Sequence, residues 1–169
     1  MWRWILLGAL RWEMVHLDDD CDDGEVYRKY SAELMRFAGA LAGPSGAEDL
    51  LATAFLGAMT SAGWREVENK RAYLYRVVLN EAFRARRSND RRLRREERVA
   101  RQPKWEPTVA DHDVLAALRR LTVRQRAIVF LTYWADLTPS AVAETIDSSP
   151  RTVERELAAA RQRLGALLS

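Results

Sequence analysis

Hydrophobic residues recur at steps of three and four along most of the chain, which is the period of amphipathic helices. Residues 26–41 predict a first helix, and the Gly-Pro-Ser-Gly segment at 43–46 predicts its end. Residues 48–59 predict a second helix, which opens with two acidic residues as the helix dipole favours. Residues 70–87 predict a third helix. No segment alternates with the period of two that marks a strand, so we expect an all-α protein.

The last third of the chain carries the signals of further helices. The spacing of valine and leucine predicts one helix over residues 114–121. Thr122, with Gln125 three residues on, forms a capping box that opens the next helix. The side of that helix that should face the core carries Ala127, Ile128, Leu131 and Trp134.

Two closely spaced helix starts follow. Thr138-Pro139 and Ser149-Pro150 each place a hydroxyl residue before a proline, which is the pattern of an N-cap and a first helical position. Asp147 and Ser148 fall in the turn between them, and aspartate tolerates the left-handed backbone that a tight turn needs. A short helix, a tight turn and a second helix predict a DNA-reading helix-turn-helix.

Charge is distributed unevenly along the chain. The net charge is −5 over residues 1–63, +8 over residues 64–104 and zero over residues 105–169. We therefore expect the middle third to bind a phosphate backbone. The single cysteine, Cys21, excludes an internal disulfide framework and fits a reducing cytoplasm. No apolar run approaches the roughly 20 residues of a membrane-spanning helix.

The third predicted helix combines this basic charge with an aromatic ring and an amide. Such a face suits backbone contact and base stacking on opened DNA. A solvated basic surface is the alternative, and periodicity does not decide between the two. The residues of this face recur at steps of three and four; they are Tyr73, Arg76, Asn80, Arg84 and Arg87.

Residues 88–112 are dense in arginine and then interrupted by two prolines. They are interpreted as an interdomain linker.

The first 25 residues differ from the rest. We expect the native protein to start at Met14, which leaves residues 1–13 outside it; a secretory signal and an amphipathic partner-binding helix are the alternatives. The acidic run Asp18–Glu25 lacks the glutamate that a calcium loop needs at its twelfth position, where Tyr30 stands. The run is interpreted as a solvated acidic leader.

Three stretches stand in a recognisable order along the chain. They are AEDLLATAFLGAM at 47–59, RAYLYRVVLNEAFRARR at 71–87, and residues 118–164 with the capping box and the helix-turn-helix. Together they resemble bacterial RNA polymerase sigma factors of the extracytoplasmic-function (ECF) group. The resemblance extends over residues 26–168, which is nearly everything after the leader.

The resemblance implies two small helical domains joined by a linker. Residues 26–87 are expected to form region 2, a bundle of three to four helices. Residues 113–169 are expected to form region 4, four helices that include the helix-turn-helix. Residues 1–25 are then an atypical leader, and residues 88–112 are the linker.

The resemblance also implies which residues bind. Ala52 and Met59 depart from the family pattern, which commonly has glutamine and tryptophan there. The positions that match the polymerase-binding segment are Asp49, Leu50, Phe55 and Leu56. The positions expected at the minus-ten element are Trp64, Lys70, Arg71, Tyr73, Arg76, Asn80, Arg84 and Arg87. Those expected at the minus-thirty-five element are Thr138, Ser149, Arg151, Thr152, Glu154 and Arg155.

The function implied is promoter recognition and not an enzymatic reaction. A protein of this group directs core polymerase to promoters and initiates transcription in the cytoplasm. Its expected partners are the polymerase clamp through region 2, the polymerase flap through region 4, promoter DNA, and in many relatives an anti-sigma factor. No cofactor, metal or membrane span is expected. His16 and His112 lie far apart, and the sequence has no phosphate-binding glycine loop.

The expected recognition helix departs from the family in its charge. Glu154 and Glu156 stand where basic or small residues are usual, and Ala159 stands where an arginine is common. Glutamate accepts a hydrogen bond from cytosine N4 but repels phosphates, so region 4 should bind weakly alone and rely on its tether to region 2 and polymerase. Two alternatives are a dimeric helix-turn-helix regulator and a sigma-like adaptor that has lost promoter recognition.

Overall fold

The structure, a computed structural model, describes residues 23–96 and 117–168. The leader with its expected start at Met14 and the proline-containing half of the linker lie outside these residues. Of the helix predicted over residues 114–121, residues 114–116 lie outside the described residues. Residues 117–119 are helical.

Three helices form the first module: α1 (Asp23–Ala42), α2 (Pro44–Met59) and α3 (Lys70–Glu96). Each turns its apolar stripe towards the other two, as the spacing of hydrophobic residues predicts. The large side chains that this packing removes from solvent are Leu34, Phe37, Leu51, Leu74, Tyr75 and Val78.

The turn between α1 and α2 depends on Gly43. Its φ of 84° lies in the left-handed region, which a residue with a Cβ rarely adopts, and its N–H donates to the carbonyl oxygen of Gly39 at 2.8 Å. Pro44 then opens α2 directly. Glu48 and Asp49 therefore lie in the second turn of α2, and the prediction that they occupy its first turn is wrong.

The third helix is longer than the sequence analysis predicted. It continues past Arg87 to Glu96. Residues 88–96 contain neither glycine nor proline. Four of the nine are arginine, one is leucine and one is glutamate, and these three residue types are good helix formers. The arginine-rich half of the expected linker is therefore a continuation of α3.

The second module contains α4 (Val123–Tyr133), α5 (Pro139–Thr145) and α6 (Pro150–Leu168). The capping box that opens α4 is confirmed. Thr122 Oγ1 accepts from the backbone N–H of Gln125 at 3.1 Å, and Gln125 Oε1 accepts from the backbone N–H of Thr122 at 3.2 Å.

The helix-turn-helix begins each of its helices with a side-chain cap. Thr138 Oγ1 accepts from the N–H of Ala141 at 3.3 Å, and Ser149 Oγ accepts from the N–H of Thr152 at 3.2 Å. In the turn between them Asp147 has a φ of 52°, which confirms the left-handed aspartate that the sequence predicted. The two hydroxyl-proline pairs therefore mark the starts of α5 and α6.

The prediction that Trp134 is buried is wrong. Ala127, Ile128 and Leu131 are fully buried, but Trp134 is 64% exposed and only stacks on the ring of Phe130, with centroids 6.1 Å apart. Because α4 ends one residue earlier, the helical period no longer directs this side chain into the core.

The two modules pack against each other. The rings of Phe37 and Phe130 lie 5.1 Å apart, and Arg126 Nη2 donates to the carbonyl oxygen of Leu41 at 2.6 Å. The expected all-α fold is confirmed, since the described residues include no strand.

Candidate nucleic-acid interface

One side of α3 presents the predicted basic face. Arg76, Asn80, Arg84 and Arg87 are exposed, and Tyr73 at the start of the row is half-buried. The opposite side of the same helix is packed into the core through Leu74, Val78 and Ala82. Burial of that side fixes the rotation of α3 and turns the row outwards.

Trp64 stands at the base of this face and not on it. Its side chain is 2% exposed, and its Nε1 donates to Asp23 Oδ1 at 2.7 Å. The Nζ of Lys70 lies 4.4 Å from the Trp64 ring centroid and donates to the Trp64 carbonyl oxygen. Tyr73 packs on the same ring with centroids 5.8 Å apart. Trp64 is thus placed to orient Lys70 and Tyr73, and its burial leaves no surface for a direct contact with DNA.

Arg71 is also turned away from the basic face. Its guanidinium forms an ion pair with the carboxylate of Glu33, with Nε 3.1 Å from Oε2, and Tyr75 OH donates to the same carboxylate at 2.5 Å. The hydrogen bonds from Arg71 hold the pKa of Glu33 below its usual value against the opposing effect of burial, and Glu33 raises the pKa of Arg71. Burial, reinforced by the hydrogen bond to Glu33, raises the pKa of Tyr75. This cluster ties α1 to α3.

Arg76 joins the basic face to the helix-turn-helix. Its Nε donates to the carbonyl oxygen of Thr145 at 3.1 Å, and its Nη2 donates to that of Glu144 at 2.7 Å. These carbonyls belong to the last turn of α5, where helix carbonyls have no partner within the helix. Arg84 bonds instead within α3, to Glu81 Oε1 at 2.5 Å.

The second helix of the helix-turn-helix, α6, turns one side inwards and the other to solvent. Val153, Leu157 and Ala160 are buried. The hydroxyls of Ser149 and Thr152 lie 2.9 Å apart at the start of the helix. The exposed side of its first turns carries Arg151, Glu154 and Arg155.

The two glutamates of this helix have different surroundings, which the sequence did not reveal. Glu156 Oε2 accepts from Gln125 Nε2 at 3.1 Å, and Gln125 is only 3% exposed. Arg163 Nη1 donates to Gln125 Oε1 at 3.0 Å. Glu156 therefore fastens α6 to the capping box of α4, while Glu154 stays on the exposed side.

A second feature that the sequence analysis missed is the buried Arg126. Besides Leu41, its guanidinium donates to the carbonyl oxygens of Leu121 and Arg119 at 3.3 and 3.4 Å. Burial lowers the pKa of Arg126, and the charges of Arg86 and Arg119 add to that effect. The first turn of α4 is polar, with Arg124 and Gln125 beside Arg126, so the sequence gives no signal that this arginine is buried.

The four expected polymerase contacts divide into two pairs. Asp49 and Leu56 are exposed, and Leu56 is 67% exposed despite its aliphatic side chain. Leu50 and Phe55 are buried, and Phe55 packs edge-on against Tyr27 with ring centroids 4.9 Å apart. Only the first pair offers side-chain surface to a partner.

The part of the chain that the structure describes contains no cluster of residues suited to hold a metal ion. Within the same residues, none of the helices combines the length and the apolar character needed to cross a membrane.

Comparison with known proteins identifies the two modules. The family model for sigma-70 region 2 matches residues 26–92, and the model for sigma-70 region 4 matches residues 111–164. The RNA polymerase sigma-E factor of Streptomyces coelicolor is 32% identical over 130 residues, which cover 72% of this chain and 71% of that protein. The chain belongs to the sigma-70 family. It is a sigma factor of the ECF group.

A solved structure shares the fold of this sigma factor. The sigma factor RpoE of Bartonella quintana, solved in complex with the anti-sigma factor NepR, superimposes with a TM-score of 0.71 over 87% of this chain and 96% of that chain, at 24% identity. The region 2 match extends into the part of α3 beyond Arg87, in agreement with the observed length of that helix.

Proposed function

We propose that this sigma factor reads the minus-ten element with the exposed face of α3 and the minus-thirty-five element with the first turns of α6. The observation that carries the proposal is the pairing of these surfaces on one chain. The α3 face combines Arg76, Asn80, Arg84 and Arg87 with an aromatic ring, and α6 presents polar side chains at the end that a helix-turn-helix inserts into the major groove.

The α3 face suits unpaired DNA. Guanidinium groups bind phosphates along a strand, and aromatic rings stack on bases of any sequence. Tyr73 is half-buried against Trp64, so its ring is held in place before DNA binds. Extruding a base costs a few kcal/mol, which stacking and backbone contacts of this kind offset.

The two surfaces have to separate for the two elements to be read together. Positions minus ten and minus thirty-five are about 25 base pairs apart, which corresponds to roughly 85 Å of duplex at 3.4 Å per base pair. In this structure Arg76 of the α3 face contacts the last turn of α5 directly. We therefore infer that the packed arrangement belongs to the free protein and opens on the polymerase.

Polymerase supplies the affinity that region 4 lacks. The zero net charge of residues 105–169 gives little attraction to phosphates, whereas binding of region 2 raises the effective concentration of region 4 at the promoter. Asp49 and Leu56 are the proposed contacts with the clamp, and region 4 is proposed to bind the flap. The cytoplasm is the proposed location, and an anti-sigma factor, as in the complex of Bartonella RpoE, is a further proposed partner.

The experiment is run-off transcription with core polymerase and a library of native promoters. Initiation from a defined subset, dependent on both promoter elements, supports the proposal; no initiation from any of them contradicts it. Replacing Arg151 and Arg155 by alanine separates it from the adaptor hypothesis. Loss of dependence on the minus-thirty-five element is expected, and unchanged promoter use favours the adaptor.

A further inference from the structure

The exposed side of the first turns of α6 carries a mixed set of charges. The inward positions are taken by Val153 and Leu157, so the helix has one rotation relative to α4 and α5. The residues left outside are Arg151, Glu154, Arg155 and Ala158. In a helix-turn-helix the N-terminal residues of the second helix are those that reach base edges.

Glu154 is the acidic residue in this set that has no structural task of its own. Among the described residues, no hydrogen bond or ion pair holds its carboxylate. Glu156 differs, because Gln125 donates to it at 3.1 Å and Arg155 lies 3.9 Å from it. A free carboxylate at this place repels the phosphates of DNA, so it weakens binding unless it makes a contact that depends on the base.

The chemistry of the carboxylate restricts that base. An ionised carboxylate only accepts hydrogen bonds, and the donors in the major groove are cytosine N4 and adenine N6. On adenine the donor lies beside the N7 acceptor, which repels the second carboxylate oxygen. Cytosine presents N4 without such an acceptor, so it is the base that fits.

We propose that Glu154 is a specificity-determining residue that reads a cytosine in the minus-thirty-five element. The inference rests on the proposed function, since it requires α6 to enter the major groove of that element. The residue sets sequence preference at the expense of affinity, and the tethered region 2 and polymerase compensate for the loss.

The test uses the full chain with core polymerase on a promoter library randomised across the minus-thirty-five element. Transcripts are sequenced for the wild type, Glu154→Gln and the control Glu156→Gln. The wild type should favour cytosine at one position by about 5- to 150-fold over the other bases, the range of a good side-chain–base pair. Glu154→Gln should change that position to adenine, because glutamine pairs with adenine N6 and N7.

The control isolates the effect of the exposed carboxylate. Glu156→Gln keeps an oxygen that accepts from Gln125, and it should leave the preferred sequence unchanged. A wild-type preference that Glu154→Gln does not alter overturns the inference while the proposed function stands. A wild type with no preference anywhere in the element overturns both. Equal melting temperatures of Glu154→Gln and the wild type verify that the variant is folded.

Discussion

Arg76 on the basic face of α3 donates a hydrogen bond to the carbonyl oxygen of Thr145, 69 residues later in the chain, at the end of the first helix of the helix-turn-helix. A second bond from the same guanidinium reaches the carbonyl of Glu144. The side chain that is proposed to bind the minus-ten strand thus holds the other DNA-reading module in the free protein. In the proposed function, binding of DNA and packing of the modules therefore compete for one guanidinium.

Arg76→Ala should therefore open the free protein. Energy transfer between dyes at Ser45→Cys and Ser140→Cys, in a Cys21→Ser background, measures the separation of the modules. Both serines are exposed, one in each module. The wild type should show a high transfer efficiency that falls on binding core polymerase, and Arg76→Ala should show a lower efficiency without polymerase.

Arg84→Ala is the matched control, because Arg84 bonds to Glu81 within its own helix. It should leave the transfer efficiency of the free protein unchanged. Both variants should weaken binding to an open minus-ten strand. The logarithm of the binding constant should also fall less steeply with the logarithm of the salt concentration, its slope being smaller in magnitude by about one, as expected for loss of a phosphate contact. A wild type whose transfer efficiency stays high on a promoter-bound polymerase would contradict the opening.

Leu56→Ala should separate polymerase binding from folding. Leu56 is 67% exposed, so its truncation should change the free energy of unfolding by less than about 0.5 kcal/mol. If it contacts the clamp, affinity for core polymerase should fall by about 1–2 kcal/mol, or roughly 5- to 30-fold. Phe55→Ala is the contrast, since Phe55 is 4% exposed and its truncation should cost about 3–5 kcal/mol of stability. Denaturant titration and a polymerase-binding assay measure the two effects; unchanged polymerase affinity of Leu56→Ala would remove it from the interface.

The elements of the fold were predictable because their signals are local. The capping box of Thr122 and Gln125 and the left-handed Asp147 depend on contacts within a few residues, which the sequence displays directly. The extension of α3 was underestimated because arginine-rich composition indicates a linker as readily as a helix. Burial of the aliphatic residues followed from the helical period.

The candidate site was less predictable because its geometry depends on distant partners. The buried Trp64 donates a hydrogen bond to Asp23, 41 residues earlier in the chain. Arg71 donates to Glu33, 38 residues earlier, and this contact turns its guanidinium away from the basic face. Spacing along a helix gives no information on such contacts. For the same reason Glu154 and Glu156 look equivalent in the sequence, although only Glu156 has the partner Gln125.

Acid should destabilise the first module through Glu33. Its folded-state pKa lies below the unfolded value of about 4.3, so the stabilisation is fully present above that pH and is lost as the pH falls through the folded-state pKa. Glu33→Gln should lower the free energy of unfolding at pH 7 by about 1–2 kcal/mol, because the neutral amide no longer pairs with the charged guanidinium of Arg71 in this partly exposed contact. Its stability should then depend less on pH below about pH 5, where the unfolded-state carboxyl begins to take up a proton.

Urea titrations of the wild type and Glu33→Gln across this pH range measure the difference. Glu48→Gln, on the exposed surface of α2, controls for a general change of charge. A parallel pH dependence of the wild type and Glu33→Gln would show that the Glu33–Arg71 pair does not contribute.

The turn of the helix-turn-helix supplies the last prediction. Asp147 has a φ of 52°, a conformation that costs a residue with a Cβ roughly 1–2 kcal/mol and that aspartate tolerates better than most. Asp147→Ala should therefore destabilise the protein by about 1 kcal/mol, whereas Asp147→Gly should leave its stability unchanged or raise it by up to about 1 kcal/mol. Thermal unfolding measures both, and Ser148→Ala tests the neighbouring position of the same turn. Equal effects of alanine and glycine at position 147 would show that the backbone conformation does not limit this turn, and would contradict the prediction.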